Sequence, residues 1–279
     1  MNMTKRLHSL NMMFEGGRAF VAATVIIYLL SKGVSLAEIA MLKIFQSVAV
    51  IFLEVPTGFV SDYLGHKKSL VASTLFCAIG YMFFLNGTTF NHFIVAEFFN
   101  ACCLALWSGA YDAFAIEKLD IGKNEDEMAQ FFHMSSSCQS AVVIICGLSG
   151  AYLALYQPDV PFIVSISFLI ASSVFAFSFS QSTMKKSIDI TEIKNDFLVK
   201  IKSAFRYGTK DPITRKYFAM LCVLQALMMP IIFYWQPFFE SLSNYVGGGN
   251  GIVHSAMNAT FFILGIYLSK SKIRGKLQS

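Results

Sequence analysis

Charge is scarce in this sequence. Of 279 residues, 14% are Asp, Glu, Lys or Arg, against about 25% in a typical soluble domain. With 55% hydrophobic residues and a mean hydropathy of +0.57, that scarcity excludes an ordinary soluble globule. The net charge of +5 comes from lysines that border apolar stretches. It reads as a membrane-surface signal, and no nucleic-acid partner is expected. Catalytic signatures are missing as well: there is no H-E-x-x-H, no G-x-S-x-G and no P-loop. Neither an enzyme nor an ATP-driven pump is indicated, and no cofactor is implied. The six cysteines (Cys77, Cys102, Cys103, Cys138, Cys146 and Cys222) form no C-x-x-C pair and join no His cluster. They read as small apolar packing residues, not as a metal or redox site.

Long apolar runs, by contrast, are plentiful. A helix needs about 20 apolar residues to cross a bilayer, and eight segments qualify: roughly 12–31, 37–60, 69–87, 91–118, 130–155, 160–181, 216–239 and 250–269. The first run lacks a small-residue cleavage site at its end, so it is read as a spanning helix and not as a signal peptide. Asn91-His92 and Gln157-Pro158-Asp159-Val160-Pro161 read as tight turns, and Gly247-Gly248-Gly249-Asn250-Gly251 as a flexible one.

Basic residues orient the spans. Lys5 and Arg6, Lys67 and Lys68, Lys118 and Lys123, the run from Lys185 to Lys216, and Lys270 to Lys276 all fall on one side, whereas Lys32 alone falls in the opposite loops. The asymmetry predicts a multi-pass protein of the cell (inner) membrane with both termini cytoplasmic. Within the long connection, Ile193, Phe197, Ile201 and Phe205 recur every four residues among lysines, the pattern of an amphipathic helix lying on the inner surface.

The connection between the second and third spans is the most specific feature. It reads Gly58-Phe59-Val60-Ser61-Asp62-Tyr63-Leu64-Gly65-His66-Lys67-Lys68, preceded by Glu54-Val55-Pro56-Thr57. An acid, two glycines and a basic run are held in a turn too short to be a domain, and the glycines permit close packing or unusual backbone angles. This stretch resembles the loop between helices 2 and 3 of the major facilitator superfamily of secondary transporters, written G-x-L-A-D-R-x-G-R-K-x-x-L. Gly58, Asp62, Gly65, Lys67 and Lys68 keep their places, while Val60 stands for Leu, Tyr63 for Arg and His66 for Arg. The preceding Glu54-Val55-Pro56-Thr57 is similar to the prokaryotic drug-efflux-like group. So are Trp107-Ser108-Gly109-Ala110-Tyr111-Asp112 and Phe233-Tyr234-Trp235-Gln236-Pro237-Phe238.

The resemblance implies an all-α membrane protein. Residues 1–181 are expected to form the complete six-helix N-terminal half and 182–215 a cytoplasmic linker. Residues 216–279 would supply helices 7 and 8 of an incomplete second half. The family has twelve helices, so this chain is expected to be truncated after about eight. Because alternating access uses two halves, it is expected to be inactive alone unless a complementing chain or self-association supplies the rest. In the family, the loop aspartate docks near helix 11 as a conformational gate, and Asp62 is placed for that role. Gly147-Leu148-Ser149-Gly150 lacks the proline of the antiporter signature in helix 5, and its glycines most simply permit helix contact.

Charges inside the spans need a reason, since each costs about 2.5–3.5 kcal/mol on insertion scales. Glu15 and Arg18 lie three apart on one face and read either as a local ion pair or as cavity charges. An Arg18–Asp112 pair across the first and fourth spans is the other arrangement. Fifteen residues separate Glu97 from Asp112, about four turns, which turns both acids roughly the same way. The family's helix-4 Arg, in R-x-x-x-G, is replaced here by Glu97 and its glycine by Ala101. Glu97 is the leading proton-coupling candidate. The plainer readings are a hydrogen bond to a neighbouring helix or snorkelling to the interface, and Lys43 is expected to snorkel. Gln225, Met229 and Trp235 are candidates for the substrate cavity. The resulting expectation is a proton-coupled, efflux-like secondary transporter whose partners are the lipid bilayer, a small-molecule substrate and protons. The alternative is a non-transporting membrane interaction protein that retains the fold.

Overall fold

A computed structural model describes residues 2–122, 124–180 and 249–270; between the last two segments it describes only 212, 214–217, 219–220, 223–224, 227 and 235–238. The described residues are helical and contain no strand. In chain order the helices are α1 (Met3–Ala22), α2 (Val25–Ser31), α3 (Leu36–Leu64), α4 (His66–Asn86), α5 (Phe90–Leu119), α6 (Glu125–Tyr156), α7 (Val160–Phe177) and α8 (Gly249–Lys270). Five of them, α3 to α7, are long and apolar enough to cross a membrane, and α1 with α2 forms a sixth span broken by a 41° bend.

The local signals that start and stop these helices are ordinary ones. A capping box opens α3: Ser35 Oγ accepts from the Glu38 N–H, and Glu38 Oε2 accepts from the Ser35 N–H at 2.8 Å. Asn124 caps α6 by accepting from the N–H groups of Asp126 and Glu127. Glu125, Asp126 and Glu127 then place negative charge in its first turn, where the helix dipole favours it. Pro161 sits in the first turn of α7, where its missing N–H costs nothing. Asn91 and His92, read from sequence as a turn, lie in the first turn of α5, and the turn itself is Gly87–Thr89. Likewise Gly249 to Gly251 are helical and begin α8.

Packing follows a simple plan. α4 lies against α5 and α7, α1 against α6 and α7, α3 against α5, and α6 against α8. Phe14, Phe84, Phe93, Phe114 and Phe162 are fully buried between them. Glycine decides where backbones touch. A Cβ at Gly150 would collide with the Phe20 carbonyl of α1, and one at Gly147 would lie 2.6 Å from His254 Nδ1 of α8. One stretch of α6 is therefore in close approach to both α1 and α8, as the Gly-Leu-Ser-Gly run suggested. On the outside, α3 turns Met41, Ile44, Ile51 and Phe52 away from the bundle, Phe52 being 75% exposed. Such a surface suits hydrocarbon and not water.

The expected linker at 182–215 with its amphipathic Ile193–Phe205 stripe lies almost wholly outside the described residues. Most of the 216–239 span, including Gln225 and Met229, lies outside them too.

Candidate functional site

A cavity of about 560 Å³ lies between α1 to α6, α8 and the short helical stretch 235–238. One ion pair stands in its wall, and Lys43 in the wall belongs to a second whose acid is buried behind it. Glu15 Oε2 accepts from Arg18 Nη1 at 3.3 Å, within α1. From α3, Lys43 reaches across to α5 and its Nζ donates to Glu97 Oε1 at 2.5 Å. The Glu97 side chain is 0% exposed, and its second oxygen accepts from Asn100 Nδ2 at 3.4 Å. A buried carboxylate is tolerable only when paired and hydrogen-bonded, and both conditions are met here. Gly80 makes room for this network: a Cβ there would lie 2.9 Å from the Ala96 carbonyl and 3.2 Å from Asn100 Oδ1.

Two expectations from sequence are corrected. Lys43 does not snorkel, because the buried Glu97 carboxylate on the adjacent helix offers a better partner than the interface. Arg18 does not pair with Asp112; Glu15, one turn away on the same helix face, takes its charge at far lower conformational cost. Glu97 and Asp112, expected to turn roughly the same way, stand in different surroundings, the first buried and the second exposed. Asp112 lines a second cavity of about 280 Å³, together with Asn11, Tyr111 and Ser135. There Ser135 Oγ accepts from Asn11 Nδ2 and lies 3.2 Å from the Tyr111 hydroxyl, linking α1, α5 and α6. Glu15 and Gln139 line both cavities and stand between them.

The turn between α3 and α4 is a single residue, Gly65, with φ 92° and ψ 138°. Only glycine adopts that conformation without strain. Asp62 is exposed in the last turn of α3 and has no ion-pair partner among the described residues. Ser61 Oγ and His66 Nδ1 lie 2.9 Å apart across the turn. Lys67 Nζ sits 4.6 Å above the Phe177 ring, tying the turn to the end of α7, while Lys68 is exposed. Gly58 does not serve close packing, since nothing lies within 4 Å of where its Cβ would be.

Sequence reasoning missed the uncharged polar residues of the larger cavity: Gln46, Asn100, Gln139, Gln236 and His254. Weighing amides inside apolar spans as charges were weighed would have found most of them, since an amide in hydrocarbon also needs partners. Trp235, a cavity candidate from the start, does line it, its ring stacked on His254 with centroids 6.1 Å apart. Gln236 Oε1 accepts from the Ile26 N–H at 3.1 Å, and its Nε2 donates to the Ala22 carbonyl at 2.8 Å.

A bundle of apolar spans around a cavity with paired charges is the architecture of a multi-pass membrane protein. Residues 7–277 match the Major Facilitator Superfamily model, and the chain belongs to that superfamily, whose members are transporters and not enzymes. No curated protein matches the chain.

Proposed function

We propose that the protein is a proton-coupled secondary transporter of small molecules, efflux-like in direction, working by alternating access. Glu97 is its proton-coupling residue. The observation that carries this reading is the Lys43–Glu97 pair: Lys43 lines the larger cavity and bonds a fully buried carboxylate behind the wall. A proton delivered to Glu97 abolishes its attraction for Lys43. The unpaired ammonium is then unstable where it stands and turns toward cavity water, and α3 and α5 lose the tie between them. Loss of the proton restores the pair. One site thus has two charge states with different packing, which is what coupling requires.

The family's usual helix-4 cation is supplied here from α3 instead, with the acid in its place on α5. Residues 1–181 serve as the six-helix half, 182–215 as the cytoplasmic linker and 216–279 as helices 7 and 8. The termini face the cytoplasm across the inner membrane, and Asp62 acts at the gate with Gly65, Lys67 and Lys68.

The test is dye transport in vesicles under an imposed pH gradient, comparing the parent with Glu97→Gln, each both alone and fused to four further helices of the family, since the chain by itself is expected to need the rest of the second half. Transport should follow the gradient in the parent and lose that dependence in the variant. Gradient-driven transport that survives in Glu97→Gln would remove Glu97 from the coupling step.

A further inference from the structure

The first span is broken between α1 and α2, and the break has a specific chemistry. In an unbroken helix the Ala22 carbonyl would accept from the Ile26 N–H, four residues on. The 41° bend separates these two groups. Gln236 lies between them: its Nε2 donates to Ala22 O at 2.8 Å, and its Oε1 accepts from Ile26 N–H at 3.1 Å. One side-chain carboxamide thus stands in for one of the backbone hydrogen bonds severed at the break and satisfies both of its ends. Gln236 is 3% exposed and more than 200 residues away along the chain. No other described side chain bonds to either group.

We infer that Gln236 is a positioning residue that latches the first span in its bent form. Two arrangements of the same atoms are available. In one, Gln236 bridges the break, and the 235–238 segment is held against α1 and α2. In the other, Gln236 withdraws, the Ala22 carbonyl and Ile26 N–H bond directly, and the first span straightens. The bent form keeps the two Gln236 bonds and the Thr24 bonds to the Val21 carbonyl, whereas the straight form exchanges them for i→i−4 backbone bonds; an exchange of bonds for bonds leaves a difference small enough to be switched. Ala22, Val25, Ile26 and Gln236 all line the larger cavity, so unlatching opens that cavity at the end of the bundle where Asp159 lies. The inference rests on the alternating-access reading for its consequence at the opposite end, and the test separates the two.

Cysteines introduced at Val25, in the larger cavity, and at Ser136, in the smaller one, are labelled with a membrane-impermeant maleimide. Labelling is read above that of the six native cysteines. Gln236→Leu should raise labelling at Val25 by about tenfold or more, the shift that loss of the bent form's two neutral hydrogen bonds supplies while the straight form is unaffected, and should lower it at Ser136. Gln236→Glu keeps the acceptor for Ile26 but, as a carboxylate, loses the donor to Ala22. It also sets a carboxylate oxygen against the Ala22 carbonyl oxygen, so it should raise labelling at Val25 at least as far as Leu does, and it carries the test if the Leu variant fails to fold. A rise at Val25 with no change at Ser136 supports the latch and sinks reciprocal opening of the two ends. No rise at Val25 in either variant, or an equal rise at both positions marking a loosened bundle, overturns the latch.

Discussion

Lys43 of α3 and Glu97 of α5 form the most deeply buried ion pair among the described residues, with the carboxylate wholly shielded and the lysine side chain 16% exposed. Removing one partner leaves the other charged in a poor solvent, so Lys43→Met or Glu97→Gln alone should destabilise the protein by about 3 kcal/mol. The double variant should be milder than the sum, because neither orphan remains. Thermal unfolding of the four proteins in one detergent checks this. Strict additivity would mean that the two side chains do not interact.

Glycines that look alike in sequence should behave in opposite ways. Gly150→Ala drives a methyl into the Phe20 backbone and should cost about 3 kcal/mol, since α1 and α6 must separate. Gly109→Ala faces open space in the middle of α5 and should stabilise by up to about 1 kcal/mol through helix propensity. Unfolding midpoints of the two variants give the comparison directly.

The α3–α4 turn separates backbone strain from charge. Gly65→Ala meets no neighbour, so its cost, about 1–3 kcal/mol, should come wholly from forcing a side chain to φ 92°. Asp62→Asn should leave stability within about 0.5 kcal/mol because the side chain is exposed, yet it should slow transport if the gate assignment holds. Normal transport by Asp62→Asn at normal expression levels would count against that assignment.

At the other end of the bundle, the Tyr28 hydroxyl donates to Asp159 Oδ1 at 2.9 Å, while Lys32 Nζ stands 3.7 Å from the same oxygen. Tyr28→Phe should cost about 1.5 kcal/mol, as a hydrogen bond to a charged acceptor is lost. Lys32→Ala should cost at most about 0.5 kcal/mol, and that small effect should vanish in high salt. Equal losses for the two variants would show that the ion pair, not the hydroxyl, anchors Asp159.

Much of this architecture was legible because length and apolarity fix membrane spans directly. α4 to α7 fall close to where composition placed them, and the Gly65 turn was readable from its residues. The first span was placed too late, at 12, because Lys5, Arg6, His8 and Asn11 depress local hydropathy while the helix runs on from Met3. What the sequence could not convey was which faces meet. The fate of Lys43 depends on α3 lying against α5 with Gly80 and Asn100 beside Glu97, and that of Arg18 on a partner one turn away. The break at Ala22–Val25 has no proline or glycine to announce it, since the group that stabilises it lies far along the chain. Amides carry no charge to draw attention, so Gln236 and Asn100 passed as ordinary span residues.

The protein has two tryptophans, and each faces a different cavity. Trp107 lines the smaller one, stacked between Phe14 at 3.7 Å and Tyr111 at 5.4 Å; Trp235 lines the larger one against His254. Intrinsic fluorescence therefore reads both chambers without any added label. With Trp107 replaced by Phe, the remaining emission comes from the chamber beside the break in the first span, and its colour and quenching report how wet that chamber is in real time.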